Sequence, residues 1–106
     1  MLNINYFVSP GAEGTEIHRL SVSGHANYDK KGKDIVCSAA SILCIGLAEA
    51  LTQIDGGECD MDLSTGEADI TFIAEEGDPW VKGVFAVTVA GFEYLAGEYP
   101  DFVIFE

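Results

Sequence analysis

Two residues able to carry out acyl-transfer chemistry lie twelve positions apart in the stretch GHANYDKKGKDIVCSAAS, residues 24–41: His25 and Cys37. Asp34 is a short acceptor standing just before an apolar helical run, the signature of an N-cap, so Cys37 falls at the third helical position. There the unpaired N–H groups of the first turn and the positive end of the helix dipole surround the sulfur and favour thiolate over thiol. The same N–H groups, among them those of Cys37 and Ser38, are expected to hold the oxyanion that forms when a thiolate attacks an amide carbonyl. A general base must take the thiol proton and return it to the leaving amine. His25 is the better candidate, because Gly24 lets the backbone bend beside it and the loop 26–33 can fold back to the helix start. His18 falls within a strand pattern and reads as an ordinary sheet residue. Spacing alone leaves the Cys–His pair open, since one cysteine and one histidine in 106 residues make a weak signal.

Along the same helix Cys37, Ser41, Cys44 and Ala48 stack three and four residues apart. Their small side chains fit either close packing against another backbone or a slot beside the sulfur in which the Ser41 hydroxyl steadies a reacting group. Cys44 is assigned to packing, and Cys59, alternating with Met61 and Leu63, to the core. No pair of cysteines has C-x-x-C spacing, so neither a zinc site nor any cofactor is expected. A redox sensor would need a resolving thiol, and Cys44 lies two helical turns on, ~10 Å by rise.

The elements that must position these residues follow from pattern. LNINYFVS and TEIHRLSVSG alternate as a hairpin around PGAEG, and residues 24–33 form a loop with glycine at both ends, Gly24 and Gly32 giving it mobility. A helix runs from the Asp34 cap to about Ile54, with Val36, Ala39, Leu43, Leu47, Ala50 and Ile54 on one side, and DGG ends it. GECDMDLS and ADITFIA make a second hairpin around STGE. Asp78 and Pro79 open a second helix through Tyr99, and DFVIF closes as a strand. The order β-β-α-β-β-α-β predicts an α+β fold, a mainly antiparallel sheet with two helices packed on it, as one domain over residues 1–106.

Eighteen acidic residues against five basic ones leave a net charge of −13, so no direct nucleic-acid partner is expected. Such a field suits a basic protein or peptide, or simply maintains solubility. The chain opens without a signal-peptide pattern and holds no apolar run of ~18 residues, so it is expected in the cytoplasm, away from membranes, with reduced thiols.

The segment SGHANYDKKGKDIVCSAAS, residues 23–41, resembles the signature of the ribosomal-processing cysteine protease (Prp) family: glycine-histidine-alanine, a short loop, then aspartate-isoleucine-valine-cysteine. The resemblance implies a bacterial cysteine endopeptidase that removes the N-terminal extension of large ribosomal subunit protein 27, supporting ribosome assembly. It places the nucleophile on Cys37 and the base on His25, with Asp34 and Ser41 in supporting roles. It also implies a homodimer and a loop that moves when the substrate peptide enters. The three lysines in NYDKKGKD are unusual for the family. They either hold acidic residues of the protein or lie near the thiolate. The readings from other classes are a non-catalytic binding module or chaperone for a basic ribosomal protein, and a redox sensor.

Overall fold

Alternation of apolar and polar residues builds β1 (Leu2–Pro10) and β2 (Thr15–Gly24), which pair antiparallel with Ile4 opposite Val22 and Val8 opposite His18. The computed structural model describes residues 1–55, 57–64 and 67–106, with the backbone alone at 58, 63 and 64. After α1 (Ile35–Leu51), a second antiparallel pair forms from β3 (Glu58–Ser64) and β4 (Glu67–Glu75). α2 (Pro79–Glu98) and β5 (Val103–Phe105) complete the chain. The sheet order is β3-β4-β2-β1-β5. Every neighbouring pair is antiparallel except β1 and β5, which run parallel.

One face of this sheet is covered. Leu2, Ile4, Leu20, Val22, Ile70, Phe72, Ala74 and Val103 are buried in one cluster with Val36 and Leu47 of α1 and Val81, Phe85 and Phe92 of α2. The α+β expectation and its element order are therefore as observed, and the parallel β5 makes the sheet mixed. Among the described residues no helix is long and apolar enough to cross a membrane.

Both helices start where the sequence places them. Asp34 caps α1, and Asp78 caps α2 by accepting from the Trp80 and Val81 N–H groups at 2.9 and 3.4 Å. The end of α1 differs: the helix stops at Leu51, and the Thr52, Gln53 and Ile54 N–H groups close a terminal turn on the Ala48, Ala50 and Leu51 carbonyls. The buried side of α1 also differs, being Val36, Ala40, Cys44, Leu47, Ala48 and Leu51. Ala39, Leu43 and Ala50 are half-buried, because that flank faces α2 rather than the sheet. The helices come close there, and a Cβ at Gly91 would stand 2.6 Å from Leu43.

Cys59 requires correction, since it is exposed rather than core. It is opposite Phe72 on the covered face, but β3 is the outermost strand, and the strand α1 packs against most is β4, one further in. Met61 beside it is half-buried, and the side chain of Leu63 lies outside the described residues, as do Gly56 of DGG and Thr65 and Gly66 of STGE. His18 is buried as a sheet residue. Tyr6 Oη lies 2.9 Å from its Nδ1, Glu16 Oε2 lies 3.0 Å from its Nε2, and Phe85 stacks on its ring at 5.2 Å. Burial, and then the Glu16 charge, raise the Tyr6 hydroxyl above its ordinary pKa.

Candidate active site

Asp34 organises the site. It is only 7% exposed, and each carboxylate oxygen serves a different segment. Oδ1 accepts from the Val36 and Cys37 N–H groups, both at 3.0 Å, which fastens the first turn of α1. Oδ2 accepts from the Tyr28 N–H at 3.0 Å and the Asp29 N–H at 3.4 Å, which fastens the loop that follows His25. Burial pulls the Asp34 carboxyl upward as the largest single effect. The N–H groups of Cys37, Asp29 and Tyr28 and the Cys37 thiol together outweigh it and hold the group below its ordinary value.

The loop is tied at several further points. Gly24 has φ +92°, and a Cβ there would stand 2.3 Å from the Met1 carbonyl oxygen. The Met1 nitrogen donates to the His25 carbonyl, and Ala26 is buried. Asn27 takes φ 55°, which asparagine tolerates better than most residues. The Tyr28 ring meets Tyr99 and Phe102 edge-on at 5.3 and 5.2 Å. The tip turns back through a Lys33 N–H to Lys30 carbonyl bond of 2.8 Å. Among the described residues, none of the loop lysines forms an ion pair.

His25, Asp34, Cys37, Ser38 and Ser41 all line one groove of about 1010 Å³, bounded also by Gly24 and Gly32. Cys37 is half-buried and Ser41 exposed, so both present surface to it. Among the described residues no hydrogen bond joins the His25 ring to the Cys37 sulfur. They share the groove without contact of that kind. Both N–H groups expected to hold the oxyanion have acceptors within the chain. The Cys37 N–H is held by Asp34 Oδ1, and the Ser38 N–H is spent on the Asp34 carbonyl at 3.1 Å, the first bond of the helix. Ile35 is the first-turn residue whose N–H has no acceptor among the described residues.

Several groove residues escaped sequence reasoning. Ile42 and Ile45, 65% and 48% exposed, form an apolar wall on α1, while Asp29, Lys31 and Glu67 add charge. The two isoleucines carry a signal that helical spacing from Cys37 and Ser41 makes readable: apolar side chains on a flank that the core does not use. Glu67 has no local signal, since only strand order brings β4 to this place. Cys44, in contrast, is sealed at the groove floor, and burial pushes its thiol up to about 11. All three cysteines are free, and the described residues hold no group of three or more potential metal ligands.

A mixed sheet with one helical layer also describes several solved proteins. SMU.848 from Streptococcus mutans is 26% identical, with a TM-score of 0.72 over 100% of this chain and 92% of that one. The ribosomal processing protease Prp of S. aureus, in complex with a covalently linked product peptide, has the same fold. Its TM-score is 0.80 at 18% identity, covering 100% of this chain and 98% of that one. The ribosomal processing cysteine protease Prp of Mycoplasma pneumoniae is 31% identical over 91 residues, 84% of this chain and 86% of that one. The class is thus a cysteine peptidase, which sets aside the reading as a non-catalytic module. The family model for cysteine protease Prp matches residues 3–104, and the chain belongs to that family.

Proposed function

We propose that this peptidase removes the N-terminal extension of a ribosomal protein, large subunit protein 27, with Cys37 as nucleophile and His25 as general base. The observation that carries the reading is the shared groove, in which the loop histidine and the cysteine of a capped first helical turn face one space. The M. pneumoniae relative is named for ribosomal processing, and the S. aureus protease was crystallised with a substrate peptide as well.

In the proposed reaction the His25 imidazole takes the Cys37 thiol proton as Sγ bonds to the substrate carbonyl carbon. The oxyanion takes first-turn N–H groups, that of Cys37 once the Asp34 carboxylate yields it. The carbon–nitrogen bond then breaks as His25 gives its proton to the leaving amine. Water, deprotonated by His25, attacks the thioester, and the sulfur leaves and regains that proton. Asp34 acts by position, holding both the helix start and the loop, and Ser41 offers its hydroxyl to the bound peptide. The carboxylates of Asp29 and Glu67 suit a basic peptide, and Ile42 and Ile45 suit its apolar side chains. The protein works in the cytoplasm, where ribosomes assemble, as a homodimer.

The test is mass-spectrometric detection of cleavage of the extended ribosomal protein from the same genome. Cys37→Ala and His25→Ala should each abolish cleavage while melting as the parent does. Normal cleavage by either variant overturns the assignment.

A further inference from the structure

β5 covers only part of β1. The two pair from Leu2 opposite Val103 to Ile4 opposite Phe105, and the Glu106 N–H closes that ladder on the Ile4 carbonyl at 2.9 Å. Beyond Ile4, β1 runs on to Pro10 as the outer strand of the sheet. Two bonds fix which way its backbone groups point. The Leu2 N–H goes to the Phe102 carbonyl, on the β5 side, and the Gly11 N–H goes to the Thr15 carbonyl, on the β2 side. Since these directions alternate along a strand, the N–H and C=O groups of Tyr6 and Val8 face the open edge. Among the described residues nothing pairs with them. Pro10, the next residue facing that way, brings no N–H and ends the edge. Open edges are usually blunted by charged side chains, yet β1 carries none in a chain of net charge −13.

A cleft of about 550 Å³ opens under the same stretch of strand. Tyr6 and Val8 form one wall. The other is the flank of α2 opposite Gly91, where Ala86, Val89 and Ala90 are small enough to leave depth between Lys82 at one end and Glu93 at the other. The Tyr6 ring is fixed there by the His18 ring at 2.9 Å from its hydroxyl and by stacking on Phe85 at 5.4 Å. Val8 is 46% exposed.

We propose that β1 from Tyr6 to Pro10 docks an extended, basic segment of a partner protein, which adds to the sheet in line with β5 and sets alternate apolar side chains into the cleft. Only an extended backbone matches donors and acceptors spaced two residues apart along an edge. The segment is basic because Glu16 and Glu93 line the cleft against Lys82 alone, within the field of the whole acidic chain. Leu2 lines the peptidase groove and Val8 the cleft, ~20 Å apart along one strand, so this docking stands whether or not Cys37 and His25 cleave a peptide.

The experiment is an NMR titration of the full chain with a blocked octapeptide of alternating valine and lysine. The expected result is saturable binding that salt weakens, with shifts at Ala86 and Ala90. The Tyr6 and Val8 amide protons should move downfield and exchange with solvent at least about tenfold more slowly. An octapeptide of alternating serine and lysine should bind at least about tenfold more weakly. Val8→Pro removes an N–H that faces the edge rather than β2, so it should melt near the parent and raise the dissociation constant at least about tenfold. If Val8→Pro unfolds the chain, Ala86→Trp, at an exposed helix position, decides by filling the cleft, with the same loss expected. Absence of binding at millimolar peptide, shifts confined to residues 24–45, equal binding of the serine peptide, or binding indifferent to the variants overturns the proposal. So does protection of the Tyr6 and Val8 amides without peptide that rises with protein concentration, since a second copy would then occupy the edge.

Discussion

Substituting Asp34 separates its two tasks. Asp34→Ala strips the acceptor from the Val36, Cys37, Tyr28 and Asp29 N–H groups together. Loss of an N-cap costs about 1 kcal/mol. Each of the two loop N–H groups left unpaired adds about 1 kcal/mol, for about 3 kcal/mol in all. At roughly 4 °C per kcal/mol for a chain of this length, the melting temperature should fall by about 12 °C. Asp34→Asn keeps an oxygen for Val36 and Cys37 but turns an NH2 toward the Tyr28 and Asp29 donors. It should lose only the loop share, about 8 °C by the same conversion, together with most peptide cleavage, because the segment after His25 is released. Acid provides an independent reading. Since the folded carboxyl is held below its ordinary 3.8, its stabilisation is complete above that value. It fades as pH falls toward the depressed folded value. The parent should therefore lose more stability than Asp34→Asn between neutral pH and pH values below 4. Calorimetric melting at both pH values and a peptide-cleavage assay check this. An asparagine variant that melts and cleaves like the parent would refute the idea that the carboxylate tethers the loop.

Two further outcomes follow from the same geometry. Iodoacetamide at neutral pH should label Cys37 first and Cys59 slowly, since burial and the Asp60 charge raise the Cys59 thiol; Cys44, at about 11, should stay unlabelled until the protein unfolds. Peptide mapping decides, and labelling of Cys59 ahead of Cys37 would count against an activated nucleophile. Gly24→Ala sets a Cβ 2.3 Å from the Met1 carbonyl oxygen at a φ of +92°. It should cost at least about 1–2 kcal/mol and lower kcat/KM by displacing His25; unchanged melting would show that the strands simply part to admit the methyl.

What could be read from sequence was what short-range rules decide. The two aspartate caps, the helix starts and the hairpins depend on residues a few positions apart, and so does the joining of His25 to Cys37 through one loop. Contacts between distant segments were not readable. The larger Leu43 drew the expected core face of α1 toward α2, whereas the sheet accepts the small Cys44 and Ala48. Alternation put Cys59 on the inner face correctly but carries no information on whether a helix lies over an edge strand. The Tyr28 contacts with Tyr99 and Phe102 span most of the chain. The bonds on the expected oxyanion donors have local causes: the capping side chain takes the Cys37 N–H, and the first backbone bond of the helix takes that of Ser38.

The two-sided grip of Asp34, the Asp29 carboxylate on the Lys30 N–H and the aromatic clasp on Tyr28 leave Lys31 to Lys33 as the part of the loop that, among the described residues, has no side-chain anchor. Restraint of the segment behind His25 then occurs during folding, so little further conformational entropy is lost when a peptide arrives. In the proposed mechanism the imidazole's approach to the sulfur is then an adjustment of a side chain and a short turn, and affinity for the peptide need not be diverted to ordering the whole loop.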